Sequence, residues 1–250
     1  MEHYRTKAEL IIAVDDTDNA EQGGTGRVAR EIARRLGERF PIWGVSRHQF
    51  VVLPEIPYTR NNSGNAIHVL SSVADIAALA DEVGEWLREL CLVGSDPGLC
   101  VARPGALLDA ELGRAAQARV VSRDEVRRAA EAAGVILRHP CATDDGIVGA
   151  FAGACLASSG NDGRFVEVGG MRSLSGRLTV QEVLTAGGDQ VRSVEGPILA
   201  DGVIVADRLR PALRCGKCVV YCAPTDAGEW APIAGAPGDK TREDRADVRE

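Results

Sequence analysis

The chain has 250 residues, 45% of them hydrophobic but only 4% aromatic, so it can bury a sizeable core and must build it from Ala, Val, Leu and Ile. A net charge of -7 and a pI ≈ 5.3 argue against a generally basic nucleic-acid-binding surface, though not against a local basic patch. No apolar run approaches the roughly 20 residues of a membrane helix, the opening MEHYRTKAEL lacks the apolar stretch of a secretory signal, and seven irregularly spaced cysteines read as reduced thiols in a cytoplasm.

Residues 9–14 are short, apolar and β-branched, which predicts a buried strand. From Gly26 to Glu38 the period changes to that of a helix, with Val28, Ile32 and Leu36 on one stripe. The stretch PIWGVSRHQFVVLPEIPYTRNNSGNAIHVL alternates strand-like runs with a Pro/Asn/Gly loop, and residues 74–91 carry Ile76, Leu79, Val83, Leu87 and Leu90 at helical spacing. SDPGLCVA reads as a turn into a short strand, followed by a helix near 106–118. Ser122 with Glu125 forms a capping box for another helix that Gly134 ends. VILRHP is strand-like, Gly146 to Ser158 a small-residue helix, and RFVEVGG a strand again. Thr179 and Glu182 repeat the capping box before a short helix closed by Gly187 and Gly188; beyond about 190 the pattern is β-like. The expected fold is mixed α/β (α+β) with a small C-terminal β unit, and the charged GDKTREDRADVRE reads as a frayed tail.

Three aspartates, Asp15, Asp16 and Asp18, follow the first strand directly, where catalytic residues of α/β proteins gather. Alternation along an extended segment turns Asp15 inward and lets Asp16 and Asp18 converge. Carboxylates this crowded repel one another unless a cation sits between them, and Mg²⁺ takes one or two carboxylates plus water and substrate phosphates. Asp and Thr are also ordinary turn residues; three aspartates in four positions behind a buried strand favour the metal. Next comes GGTGR. Gly23, Gly24 and Gly26 permit close backbone approach, Arg27 adds charge, and a helix start offers free N–H groups to a phosphate, with Thr25 as its N-cap. The turn is neither a Walker loop nor a dinucleotide fingerprint.

Other residues carry two readings each. Tyr58, Arg60, Asn61 and Asn65 form a polar loop that either clamps an anion and a base edge or is simply solvated. His139, after a strand-like run, is an acid, base or phosphate contact, or a structural histidine. Asp144 and Asp145 cap the next helix or add carboxylates to the metal site, and Gly146 and Gly149 allow close approach of ligand or of another element. Cys215, Cys218 and Cys222 hold a CxxC that is half of a zinc site, against the commoner packing of reduced thiols in a strand. Arg208, Arg210 and Arg214 contact phosphates or belong to a salted surface strand.

The segment VDDTDNAEQGGTGRVA resembles the Asp-Asp-Thr-Asp segment of the archaeal tRNA-isoleucine agmatinylcytidine synthetase (agmatidine synthetase) family. LPEIPYTRNNSGNAIHVL and LRHPCATDDGIVGAFAGACLA are similar to two later stretches of that family, in the same order, so the resemblance covers about 10–160. It implies a kinase-like region at 1–95 packed against a ferredoxin-like region at 96–190, with a β unit at 191–238 and the tail at 239–250. It also implies an ATP-dependent enzyme that phosphorylates the C2 carbonyl of a cytidine, after which the amine of agmatine displaces the phosphate. Asp15, Asp16 and Asp18 would hold Mg²⁺ at the triphosphate, Thr25 would be the threonine that becomes phosphorylated, and Arg60 and Asn65 would bind the acceptor. The larger members continue into an OB-fold and a zinc ribbon that grip tRNA, for which this chain has no room.

Two classes of function follow. The first is an ATP- and Mg²⁺-dependent enzyme, acting on an RNA base with an amine co-substrate, or as a kinase or ligase on a small metabolite. The second is a non-catalytic nucleotide or metal sensor whose cysteine-bearing β unit docks a partner.

Overall fold

The strand Leu10–Asp15 (β1) is apolar through five successive residues, the pattern of a strand covered on both faces. In the computed structural model, which describes residues 6–19, 24–56, 62–107, 111–141 and 143–239, it lies inside an antiparallel sheet. Its partners are Ser63–Val69 (β3) on one side and Gly98–Ala102 (β4) on the other; Ile42–Gln49 (β2) extends the first side and Ile136–Arg138 (β5) the second.

The period of 2 along β1 sorts its side chains into two cores. Leu10, Ile12 and Val14 meet the helices Thr25–Leu36 (α1) and Ile76–Leu90 (α2). Ile11 and Ala13 face the helices Leu112–Ala115 (α3), Arg123–Ala133 (α4) and Ile147–Ser158 (α5). Helix α5 is apolar all round and almost wholly buried, as such a helix must be. Its small residues let the sheet come close: a Cβ on Gly98 would lie 2.1 Å from the Gly146 carbonyl.

Strand Arg164–Val168 (β6) pairs with β2 and carries the sheet onward. Beyond it lie Gly176–Thr179 (β7), the helix Val180–Thr185 (α6), Gln190–Ser193 (β8), Val203–Ala206 (β9), Ala212–Arg214 (β10), Lys217–Pro224 (β11) and Trp230–Pro232 (β12). The order runs β5-β4-β1-β3-β2-β6-β10-β11-β12-β9-β7, with β8 parallel to β11. A third core of Phe165, Val183, Ile204, Leu213 and Val220 fills this end. The architecture is thus mixed α/β.

Both capping boxes form: Ser122 and Thr179 accept from the N–H groups of Glu125 and Glu182, whose carboxylates reach back, and Gly134 ends α4 at φ 63°. The helix expected near 106–118 is shorter. It is a 3₁₀ turn at Pro104–Leu107 and the single turn of α3, with 108–110 outside the described residues.

A polar chain crosses the α5 face of the sheet. Asp162 Oδ1 lies 2.8 Å from His48 Nδ1; His48 Nε2 and His68 Nε2 each lie 2.7 Å from Ser46 Oγ; His68 Nδ1 is 3.3 Å from Thr6 Oγ1. Trp43 and Phe165 pack against His68, and burial, with the charge of His48 adding, pushes its pKa down to about 3. The unfolded chain therefore takes up a proton that the folded one refuses, and this contribution to stability falls as pH drops below 6.5. Between pH 6.5 and about pH 5 the wild type should lose about 2 kcal/mol relative to His68→Asn, measured as the difference of their urea unfolding free energies at each pH. A difference that stays constant with pH would contradict this.

Candidate active site

The alternation that sends Ile11 and Ala13 towards α5 sends Asp15 there too, and Gly149 of α5 makes room for it. A Cβ on Gly149 would fall 1.6 Å from Asp15 Oδ2. Asp16 then leaves the strand at φ 50°, a left-handed conformation that Asp tolerates better than most residues. The loop is held from behind: Leu92 N donates to the Thr17 carbonyl at 3.2 Å, and Asn19 Nδ2 donates to the Val93 carbonyl at 3.2 Å.

Asp15, Asp16 and Asp18 line a cleft of about 740 Å³ at this end of the sheet. Asp15 is surrounded by protein yet reachable from the cleft. Burial raises its pKa to about 7; the N–H of Asp16 opposes the rise, and the charges of Asp16 and Asp18 add to it. Asp16 is raised to about 6 by burial and then by the charges of Asp96, Asp18 and Asp145. Asp96, which the sequence reading missed, accepts from Asp145 N at 2.7 Å and from the Thr143 hydroxyl. Asp145 lines the cleft and pairs with Arg123 at 3.0 Å, while Asp144, not on the cleft wall, pairs with Arg123 (2.9 Å) and Arg127.

Opposite the carboxylates stands the N-terminus of α1. Gly24 precedes the helix, no side chain caps it, and Gly24 to Arg27 line the cleft; Arg27 N donates to the Gly24 carbonyl at 2.8 Å, which leaves the N–H groups of Thr25 and Gly26 for a ligand. Thr25 is not the N-cap; it is the first helical residue, 7% exposed and still on the cleft wall. Asn65 belongs to β3 rather than to a loop. It pairs across the sheet with Val14 and Arg47 and is 2% exposed, and its Oδ1 has no hydrogen-bond partner among the described residues. Only 3.5 Å separates that oxygen from a Cβ placed on Gly26.

Gly146 and Gly149 both line the cleft and both give close helix–sheet packing. His139 does not reach it: it follows the edge strand β5 and is exposed. Arg208 and Arg210, read as more in keeping with a salted surface strand, face the cleft, while Arg214 bonds the Gly163 carbonyl at 3.1 Å and pairs with Asp239. Gly23, Tyr58, Arg60 and Asn61 lie outside the described residues.

The three cysteines do not share a point. Cys215 sits at φ 52° in the exposed turn before Gly216, whereas Cys218 and Cys222 point from β11 into the third core. Burial pushes the Cys218 thiol up and the Cys222 thiol up to about 12, in keeping with small apolar packing groups of this core.

Among the described residues no group of three or more His, Cys, Asp or Glu side chains is placed to hold a metal ion, Asp15, Asp16 and Asp18 as a trio included. Mg²⁺ needs no such trio, since one or two carboxylates suffice where substrate phosphates and water complete its shell. Hard oxygens and mutual repulsion between Asp16 and its neighbours fit such an ion, and the unpartnered Asn65 oxygen is open to a donor on a ligand.

No protein-family model and no curated protein matches the chain. Solved structures do. It is similar to apo tRNAIle2 agmatidine synthetase (21% identity, TM-score 0.51, 58% of this chain and 35% of that one). It is similar to the complex of that enzyme with tRNAIle2 and ATP (22%, 0.53, 59% and 36%), and to the complex with tRNAIle2, AMPCPP and agmatine (20%, 0.51, 59% and 36%). The chain thus spans 35% of the length of the apo enzyme, and over 58% of its own length it has the fold of these agmatidine synthetase structures.

Proposed function

We propose that the chain is an ATP- and Mg²⁺-dependent enzyme that activates an acceptor by phosphoryl transfer, as the synthetases it resembles in fold would suggest. One observation carries this reading: the carboxylates of Asp15, Asp16 and Asp18 face the uncapped, glycine-flanked end of α1 across a single cleft. Phosphoryl transfer asks a protein chiefly for positioning and charge neutralisation.

Asp15, Asp16 and Asp18 would hold Mg²⁺, which neutralises charge on the phosphate chain. The backbone N–H groups of Thr25 and Gly26 bind phosphate oxygens, and Arg27 adds positive charge beside them. Thr25, on the wall between helix end and carboxylates, is placed to meet the terminal phosphate. Asn65 orients the acceptor through its unpartnered Oδ1. In the transfer, the acceptor oxygen forms a bond to the γ-phosphorus, the bond to the bridging oxygen breaks, and ADP leaves; an amine then displaces the phosphate from the activated carbon.

The acceptor is an RNA base in the reading closest to the synthetases, and a small metabolite in the kinase or ligase alternative. Chromatography of nucleotide products from ATP and Mg²⁺, run alone, with total tRNA, and with tRNA plus agmatine, tests both. ADP or AMP should appear, with RNA dependence assigning the acceptor class. No nucleotide product under any of these conditions would leave only the sensor reading.

A further inference from the structure

We infer that the arginine-bearing wall of the cleft, Arg30, Arg172, Arg208 and Arg210 around Glu167, binds a phosphate group carried by the acceptor, separate from the phosphates of the nucleotide. The inference rests on the nucleotide occupying the carboxylate end.

Three distant segments build this wall. Arg30 comes from α1, Arg172 from the 3₁₀ turn Met171–Ser173, and Arg208 and Arg210 from the segment between β9 and β10. Glu167 of β6 is shared: its Oε2 lies 3.8 Å from Arg30 Nε and 3.9 Å from Arg172 Nε. A salted surface strand would set a carboxylate against each cation. Here Glu167 pairs with two guanidinium ions, Arg30 and Arg172, and its charge also acts on Arg208, while Arg208 and Arg210 stand exposed on the cleft wall. The crowding shows in their proton affinities: burial lowers that of Arg30, with Arg172 and Arg208 adding to it, and burial lowers that of Arg208, with Arg210 and Arg172 adding.

Beneath the guanidinium groups lie buried Met171, Leu209 and Pro211. Guanidinium groups approaching from three directions suit the tetrahedral oxygens of phosphate better than a single planar carboxylate. Arg30 bridges this wall and the helix end, its Nη1 lying 3.5 Å from a Cβ placed on Gly26, so the separate locus rests on Arg172, Arg208 and Arg210, which come from other segments. An acceptor anchored here by phosphate would place its reacting group towards Asp15 and Asp16.

The test uses the full chain and two probes without ATP, cytidine 5′-monophosphate and a short single-stranded RNA, with an ATP analogue and Mg²⁺ titrated separately. Arg208→Gln with Arg210→Gln should weaken probe binding by roughly tenfold or more and leave analogue affinity unchanged. Glu167→Gln should strengthen probe binding, a gain that misfolding cannot produce. RNA bound more tightly than the mononucleotide, with a steep salt dependence, identifies a strand as the source of the phosphate; equal binding identifies a small phosphate ester. Probe binding absent from the wild type, or insensitive to the arginine changes, overturns the inference, as does a parallel loss of analogue affinity, which would give these arginines to the nucleotide. Asp16→Asn separates the two readings, since it should lose the Mg²⁺-dependent analogue and keep the probes. If it keeps both, the nucleotide assignment fails while the arginine site stands.

Discussion

Asp16→Asn should lower ATP consumption at least about a hundredfold in a protein that melts no lower than the wild type without ligand. Asparagine is the informative replacement because Asp16 sits at φ 50°, where Asn is tolerated and alanine adds backbone strain of about 1 kcal/mol. Removing this charge relieves repulsion from Asp96, Asp18 and Asp145, and the asparagine oxygen can still accept from the Asp96 N–H, so the repulsion relieved offsets what that hydrogen bond loses. Loss of activity beside retained or raised stability is the signature of a residue held under strain for function. ADP formation by liquid chromatography, with melting curves taken with and without Mg²⁺-ATP, reads both quantities. Wild-type turnover by Asp16→Asn would remove the carboxylates from the chemistry.

A second pair of changes separates close packing from catalysis within one helix. Gly149→Ala would place a methyl group 1.6 Å from Asp15 Oδ2, so either the carboxylate or α5 must move. Overpacking of this kind costs about 1–3 kcal/mol, and displacement of Asp15 should take at least about a hundredfold from the rate. Gly153→Ala, one turn further along, meets nothing nearer than 3.9 Å. It should leave activity intact and gain up to about 1 kcal/mol from helix propensity. Urea melts and initial rates on the two variants suffice. If Gly149→Ala works as well as Gly153→Ala, Asp15 has no required position.

These two residues differ in how far the local sequence shows their role. Asp16 was marked by its neighbours in the chain, because crowding within four positions is visible without a structure. Gly149 was marked only as a glycine suited to close approach, and the partner that makes it necessary, Asp15, lies 134 residues earlier. Asn65 illustrates the same limit. As part of an Asn/Gly-rich stretch it resembled a loop residue, yet β3 begins at Ser63 and pairing with β1 and β2 buries it.

By itself the sequence determined what local periodicity and local chemistry determine: the buried opening strand, the amphipathic helices, both capping boxes, the glycine at the end of α4, and the carboxylate cluster ahead of a helix; that this helix starts uncapped came only from the structure. Each of those local features depends on residues within a few positions of one another, where backbone geometry leaves few choices. Tertiary structure alone decided which distant groups share the cleft. It brought Asp96 and Asp145 beside Asp16, gathered arginines from three segments around Glu167, left His139 outside, and split Cys215 from Cys218 and Cys222. Those outcomes follow from strand order and register, which set where each loop and helix end emerges; a shift of one residue in register would turn Glu167, Cys218 and Cys222 to the opposite face.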